Sequence, residues 1–386
     1  MEQSDKNNEK MYRIYAILFL IVLFLLAFLS DAGLVRYYVN GAESNIEWKP
    51  DAGSRFETDY ITNFYRKMQF INGNGVLRRV FGQREMNEVV KLENGYLTEL
   101  VEELPEERLS ESAEEIARIN RMCMAHEIPF LYVMTPYKIS KYDPELPAGE
   151  EDYSNQNMDV FLRKLDELGV AYMDLRETIH AGGINQYELF YRTDHHWTTE
   201  GGFYIYTKLA ERMEDMLDIR IDENVMDPAS YRITTYAKWH LGSLGQRVGI
   251  WYGGIDDFDL IELDFETQLT HNGESGSFSE ILIDREPLEK RNVETRGTYD
   301  FVLNNGFGYF KNAGASNNKR VLIITDSMGK AVIPYMILSF AESYNVYVYD
   351  PTDITGRFLN DWKPDAVLIM EYPTLLEKTE LYSFFE

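Results

Sequence analysis

The sequence predicts a three-layer α/β fold, a parallel sheet between helices, with a β-rich insertion and one membrane-length helix ahead of it. Three observations carry this expectation. From about Ser110, short apolar runs alternate with stretches of helical periodicity, as a parallel sheet requires. Between about 218 and 315 the rhythm changes to aromatic and β-branched residues broken by glycines. Near the amino terminus, Ile14 to Leu29 is wholly apolar.

Met11 to Leu29 contains a single charge, Arg13. The apolar run from Ile14 to Leu29 falls slightly short of the roughly 20 residues that a spanning helix needs, and Met11 and Tyr12 at one end and Gly33, Leu34 and Val35 at the other can extend it. Lys6, Lys10 and Arg13 precede it, which favours a cytoplasmic amino terminus, although Glu2, Asp5 and Glu9 lie among them. A cleaved signal peptide has the same polarity. Against that reading, the apolar run is long for a signal core, and Leu29-Ser30-Asp31-Ala32-Gly33 is a poor cleavage site. The expected organisation is a cytoplasmic tail at 1–10, an uncleaved anchor at 11–33, a juxtamembrane stalk at 34–88 and a folded domain at 89–386 outside the cytoplasm.

Within that domain, Val89 to Leu97 alternates around an Asn94-Gly95 turn and reads as a hairpin. Ser112 with Glu115 reads as a capping box for a helix through Ile116, Ile119 and Cys123. A strand is expected over Ile128–Met134, a helix through Met158, Phe161, Leu165 and Leu168 stopped by Gly169, and a second strand over Val170–Leu175. Thr198 or Thr199 is the candidate N-cap of a helix carrying Phe203, Tyr206, Leu209 and Met213. After the insertion come strands at Arg320–Thr325, Tyr344–Tyr349 and Pro364–Met370, with a helix from the 326–329 turn through Leu338.

Composition narrows the partners. A net charge of -26, from 64 acidic against 38 basic residues, argues against nucleic acid as a partner, because phosphate binding needs basic surface, and disfavours polyanionic ligands away from a local basic cleft. The lone cysteine, Cys123, permits no intramolecular disulfide and sits at a packing position.

Chemistry concentrates in Y-R-T-D-H-H-W-T-T-E-G-G-F, residues 191–203. Asp194 and His196 are two residues apart, a spacing that lets a carboxylate accept from an imidazole and fix its tautomer. The candidate nucleophile comes much later, in V-L-I-I-T-D-S-M-G, where Ser327 stands at a strand-to-helix turn rich in backbone amides. Taken alone Ser327 reads as an N-cap; taken with His196 and Asp194 it completes a nucleophile, base and orienting acid.

T-D-H-H-W, I-T-D-S-M-G and the amino-terminal anchor together resemble the DHHW proteins, in the alginate O-acetyltransferase-like branch of the SGNH hydrolases. The resemblance runs from about Val89 to Tyr372. It implies an SGNH-hydrolase-like, flavodoxin-like sheet, Ser327 as nucleophile, His196 as base and Asp194 as acid, with no cofactor. It also singles out the P-x-K lysine Lys138, the Gly-Ser segment with Ser243 and Arg247, His195 between the pair, and Tyr372 as substrate-side or oxyanion positions. Trp197 would form a structural wall. The implied activity is acetylation of an exopolysaccharide or cell-wall glycan at the bacterial cell surface, beside an integral-membrane acyl-transfer partner of the MBOAT type.

Three alternatives stand beside that reading. Water as acceptor would make the protein a carbohydrate acetylesterase. A silent active site would leave a polysaccharide-binding or scaffold subunit of an export complex. Asp194, His195 and His196 offer metal-ligand chemistry, but no HExxH-like cluster completes a site, and no metal is expected. His126, His180, His240 and His271 read as structural or solvent-facing. Trp239, Trp251 and Tyr252 suit either sugar stacking or core packing.

Overall fold

The structure, a computed structural model, describes residues 11–29, 64–291, 298–350, 355–378 and 381. The expected tail at 1–10, the end of the anchor at 30–33 and the stalk as far as 63 lie outside the described residues. The chain divides into two compact units, one ending at Asn74 and the other spanning Gly75–Glu386.

In the first unit, α1 (Met11–Leu29) is a largely exposed apolar helix of 19 residues. At the α-helical rise that is about 28 Å, close to the thickness of a bilayer's hydrocarbon core. Helix α2 (Lys67–Val80) begins in this unit and ends in the second, whose first residue is Gly75.

The second unit opens with three short antiparallel strands, β1 (Glu85–Met86), β2 (Val89–Lys91) and β3 (Leu97–Thr98); the predicted hairpin turn at Asn94-Gly95 joins the last two. Its centre is an eight-stranded sheet. Five strands run parallel: β4 (Phe130–Met134), β5 (Tyr172–Asp174), β11 (Arg320–Thr325), β12 (Glu342–Tyr347) and β13 (Ala366–Glu371). All five were expected from sequence, four as apolar runs and β12 two residues further along, at Tyr344–Tyr349. The sheet order is β5-β4-β13-β11-β12-β10-β8-β9, where β8 (Leu269–His271), β9 (Glu274–Gly276) and β10 (Gly308–Asn312) form an antiparallel edge.

Every residue of β13, and all of β11 but its first, is buried, so both faces of the sheet are covered. Helices α3 (Glu106–Ala125) and α4 (Ser154–Glu167) pack on each other, and α3 also packs on β4. Helices α6 (Thr199–Leu217) and α8 (Ile333–Ser339) pair likewise, with α8 against β10 and β12; α5 (Leu175–Ala181) and α7 (Ser243–Val248) are shorter. Residues 218–315 supply this antiparallel edge together with a separate antiparallel pair, β6 (Tyr231–His240) and β7 (Asp256–Leu263).

Two local expectations are corrected. Helix α3 begins at Glu106 after Pro105, six residues before the expected cap, and the Ser112 hydroxyl inside it donates instead to Leu376 O at 2.5 Å. Pro105 and the acidic first turn, Glu106 and Glu107, set the start. At the 326–329 turn the N-cap is Asp326, whose side chain accepts from Met328 N; Ser327 is the first residue of a 3-10 turn ending at Ala331. The hydroxyl of Ser327 is therefore not consumed in capping.

Candidate active site

The loop from Tyr191 to Trp197 is fixed before any chemistry begins. An isolated bridge joins Phe190 to Trp197, and Tyr191 N donates to His196 O at 3.1 Å, closing the loop on itself. From beneath, the buried Lys138 ammonium donates to the carbonyls of Tyr191, Arg192 and Asp194 at 2.7, 3.0 and 2.5 Å. Burial pushes the Lys138 amine down to about 7, with the charges of Asp256 and Asp194 opposing. Three carbonyl acceptors can be satisfied together only by the ammonium, so the geometry favours the charged form. From the side, Asp256 Oδ2 accepts from Thr193 N and Oγ1 at 2.8 and 2.6 Å. Gly242 presses on the loop so closely that a Cβ there would lie 2.2 Å from Asp194 Cβ.

Asp194, 1% exposed, is the hub. Its Oδ1 accepts from His195 N at 2.8 Å, Ser243 Oγ at 3.0 Å and His196 Nδ1 at 3.1 Å; Oδ2 lies 3.0 Å from His240 Nε2. Burial alone would raise its carboxyl. The charge of His196 and the hydrogen bonds from His195, His196 and His240 outweigh burial and hold it well below the usual carboxylate range.

His196 is turned by this contact so that Nε2 faces Ser327 Oγ at 2.7 Å. Its ring stacks on Tyr299, centroids 4.3 Å apart, and the Tyr299 hydroxyl donates to Ser327 O at 2.9 Å. Trp197, fully buried, donates from Nε1 to Met328 O at 2.8 Å. The loop carrying the imidazole and the turn carrying the hydroxyl are thus tied by two further contacts. On the turn, Asp326 receives Met328 N at 2.8 Å and Tyr372 N at 2.6 Å; burial pushes its carboxyl up to about 6 against those two donors. Met328 N and Gly329 N both donate to Asp326, while the Ser327 N–H has no acceptor among the described residues.

The sequence-predicted positions separate into two groups. Ser327, His196, Asp194, His195 and Ser243 lie together, with His195 Nδ1 3.1 Å from Ser243 Oγ. Ser327, His195 and Ser243 keep some exposure, so a substrate can approach from their side. The Tyr372 ring borders His195, centroids 5.6 Å apart, with its phenol buried and its ionisation pushed far up by burial. Lys138 acts beneath the loop and does not face Ser327. Arg247 binds Glu99, the Asn87 carbonyl and Glu88, and none of its polar contacts is with Asp194, His196 or Ser327.

Asp194, His195 and His196 bring metal-ligand atoms within 4.8 Å of one another. A cation held by Asp194 and His196 Nδ1 would displace the Nδ1 proton and leave Nε2 protonated, unable to accept from Ser327. Sequence reasoning missed His240, Tyr299 and the Asp326 cap. The nearest signal was the position of His240 at the start of H-L-G-S, next to the Gly-Ser segment already singled out.

Residues 96–247 match the family described as SGNH hydrolase-like domain, acetyltransferase AlgX. That span holds Asp194, His195, His196, Ser243 and Arg247 and ends before Ser327. PatB1 from Bacillus cereus is similar in structure at 18% sequence identity, over 77% of this chain and 99% of that one, with a TM-score of 0.63. A DHHW family protein from Eubacterium siraeum is similar at 17% identity, over 78% of this chain and 96% of that one, with a TM-score of 0.57. At these identities the likeness is one of fold. No curated protein sequence matches this chain. The SGNH-like resemblance first read from T-D-H-H-W and I-T-D-S-M-G is met by both comparisons.

Proposed function

We propose that this chain, which carries an SGNH hydrolase-like domain of the AlgX acetyltransferase kind behind an apolar helix of membrane length, is a cell-surface O-acyltransferase that acetylates a polysaccharide. One observation carries the proposal: the unbroken hydrogen-bond chain from Ser327 Oγ through His196 to Asp194, at 2.7 and 3.1 Å, beyond the end of β11 in an open parallel sheet.

In the proposed reaction His196 Nε2 takes the Ser327 proton as Oγ attacks the carbonyl carbon of an acetyl ester. The oxyanion that forms faces the Ser327 N–H, the turn's spare backbone donor. Collapse breaks the bond to the donor's alcohol oxygen, which leaves with the proton from His196. Ser327 then carries the acetyl group as an ester. A sugar hydroxyl next gives its proton to His196 and attacks that ester; the bond from the acyl carbon to Oγ breaks, and Ser327 Oγ takes the proton back from His196. Asp194 stays ionised throughout and offsets the imidazolium charge, which its low carboxyl range supports.

The acyl donor in this reading is supplied by an integral-membrane acyl-transfer partner of the MBOAT type, with α1 anchoring the chain beside it and the domain outside the cytoplasm. The test pairs acetyl release with acetyl transfer on the purified full chain, using an activated acetyl ester with and without oligosaccharide acceptors. Transfer that falls by on the order of 10⁴-fold in Ser327→Ala supports the proposal. Release to water alone, unaffected by acceptor, would assign an esterase. Equal inertness of wild type and variant would remove the enzyme reading and leave a binding subunit.

A further inference from the structure

The carboxyl end of α2 presents a surface that the fold leaves open. Gly75 is pressed against the body of its unit: a Cβ there would lie 2.7 Å from Val248 O and 3.0 Å from Tyr252 Cβ. Arg79, four residues on and hence on the same side, donates to Trp251 O at 3.3 Å, and just past the helix the Gln83 carbonyl receives the Tyr252 hydroxyl at 3.0 Å. Phe81 N continues the helical pattern to Leu77 O at 3.0 Å. At roughly 100° per residue, Val76, Leu77, Val80 and Phe81 then form a stripe on the side opposite Gly75 and Arg79. They are 41, 57, 73 and 75% exposed, and Trp251, joined to Arg79, is 61% exposed.

Charge says what this stripe meets. From Arg66 to Arg84 the sequence holds Arg66, Lys67, Arg78, Arg79 and Arg84 and none of the chain's 64 acidic residues, in a protein of net charge -26. Arg84 pairs with Glu93 at 3.0 Å, whereas Arg78 and Arg79 form no ion pair among the described residues. An apolar stripe with an indole beside it and the Arg78 guanidinium, free of ion pairs among the described residues, at its flank fits a bilayer surface, where acyl chains take the apolar side chains and phosphate headgroups take the arginine.

We propose that Val76, Leu77, Val80, Phe81 and Trp251 dock on a bilayer surface carrying anionic phospholipid headgroups, contacted also by Arg78. The proposal rests on the reading of α1 as a membrane anchor. It deepens that reading by giving the folded unit a second, reversible hold on the same membrane. The unit would then lie against the bilayer, where a membrane-delivered acyl donor emerges.

The test uses the full chain reconstituted in vesicles of phosphatidylcholine, with or without phosphatidylglycerol. Flotation with the vesicles reads the anchor. Tryptophan quenching by a lipid spin-labelled near its headgroup, with the Trp251→Phe signal subtracted, reads the patch. The expected result is lipid quenching of Trp251 that is stronger with phosphatidylglycerol, weakened in Arg78→Glu and lost in the Leu77→Glu/Phe81→Glu double variant, while all forms still float. A chain that does not float overturns the anchor reading. A chain that floats with Trp251 quenched by aqueous acrylamide and not by lipid overturns the docking proposal alone. So does Trp251 shielded from both quenchers: dependence on protein density would assign the stripe to a second copy, and independence to another segment of this chain.

Discussion

At Asp194 three imidazoles converge on one buried carboxylate. His240 differs from the other two because it is fully buried and its Nδ1 has no hydrogen-bond partner among the described residues; its ring lies 4.2 Å from that of Tyr191. A neutral Nε2–H tautomer donates to Oδ2 and leaves only an acceptor unpaired, whereas an imidazolium would bury an unpaired donor. His240 would thus hold the carboxylate in place through one hydrogen bond, which draws on its charge without adding a second positive one. His240→Ala is expected to lower kcat with little change in KM, and to move the acidic limb of kcat/KM to higher pH, because the freed carboxylate holds the His196 imidazolium more strongly. His240→Gln keeps an N–H donor and should restore the limb. Equal losses in both variants with an unmoved limb would reduce His240 to packing.

Asp194 also ties the site to stability. Its carboxyl is held well below the range it has in the unfolded chain, so its contribution is fully present above about 3.9 and drains away as pH falls. Unfolding free energies of wild type and Asp194→Asn, measured against pH, should therefore converge on acidification; a constant difference would contradict the ion-pair account. The sequence made the Asp194/His196 pair legible because both lie on one short loop. Ser327 is 131 residues from His196, and only the strand-to-helix context suggested it. His240, 46 residues from Asp194, carried no such signal, because its role comes from where β6 ends in space.

At the scale of elements, the site depends on α6 and the 3-10 turn lying almost in contact. Thr198, one of the two caps expected from sequence, caps α6 by accepting from Gly201 N at 2.9 Å. Gly202 permits the approach: a Cβ there would meet Ala331 Cβ at 2.4 Å and its carbonyl oxygen at 2.7 Å. Gly202→Ala must push the helix and the turn apart. It is expected to cost about 1–3 kcal/mol in unfolding free energy and to lower kcat by displacing Ser327 from His196. Unchanged stability and kcat would show that the contact yields freely. Periodicity located α6 and its cap but was silent on this approach. Ser112 shows the converse: it matched a capping motif, yet its hydroxyl serves a carbonyl 264 residues away. A local pattern cannot register a partner that distant.

For the whole molecule, apolar runs and helical stretches were enough to foresee the parallel sheet, since strands buried on both faces are written as uninterrupted hydrophobic segments. The antiparallel edge of β8, β9 and β10 was harder to read. Its strands alternate and are short, and they look in sequence like the β6–β7 pair that stands apart from the sheet. The excess of acid, absent from the last turns of α2, leaves that helix end suited to a membrane surface and the rest of the unit suited to water. The fold thus brings a loop from the middle of the chain and a turn from its last quarter together beyond the carboxyl end of β11, inside the sheet, where the proposed acyl-serine would form. The most direct test is rapid-quench peptide mass spectrometry of the full chain mixed with an activated acetyl ester and no sugar acceptor. The account predicts one acetyl group on the peptide containing Ser327, formed quickly, lost when an oligosaccharide is added, and absent from His196→Ala. Transfer of acetyl to sugar with Ser327 never modified would contradict it.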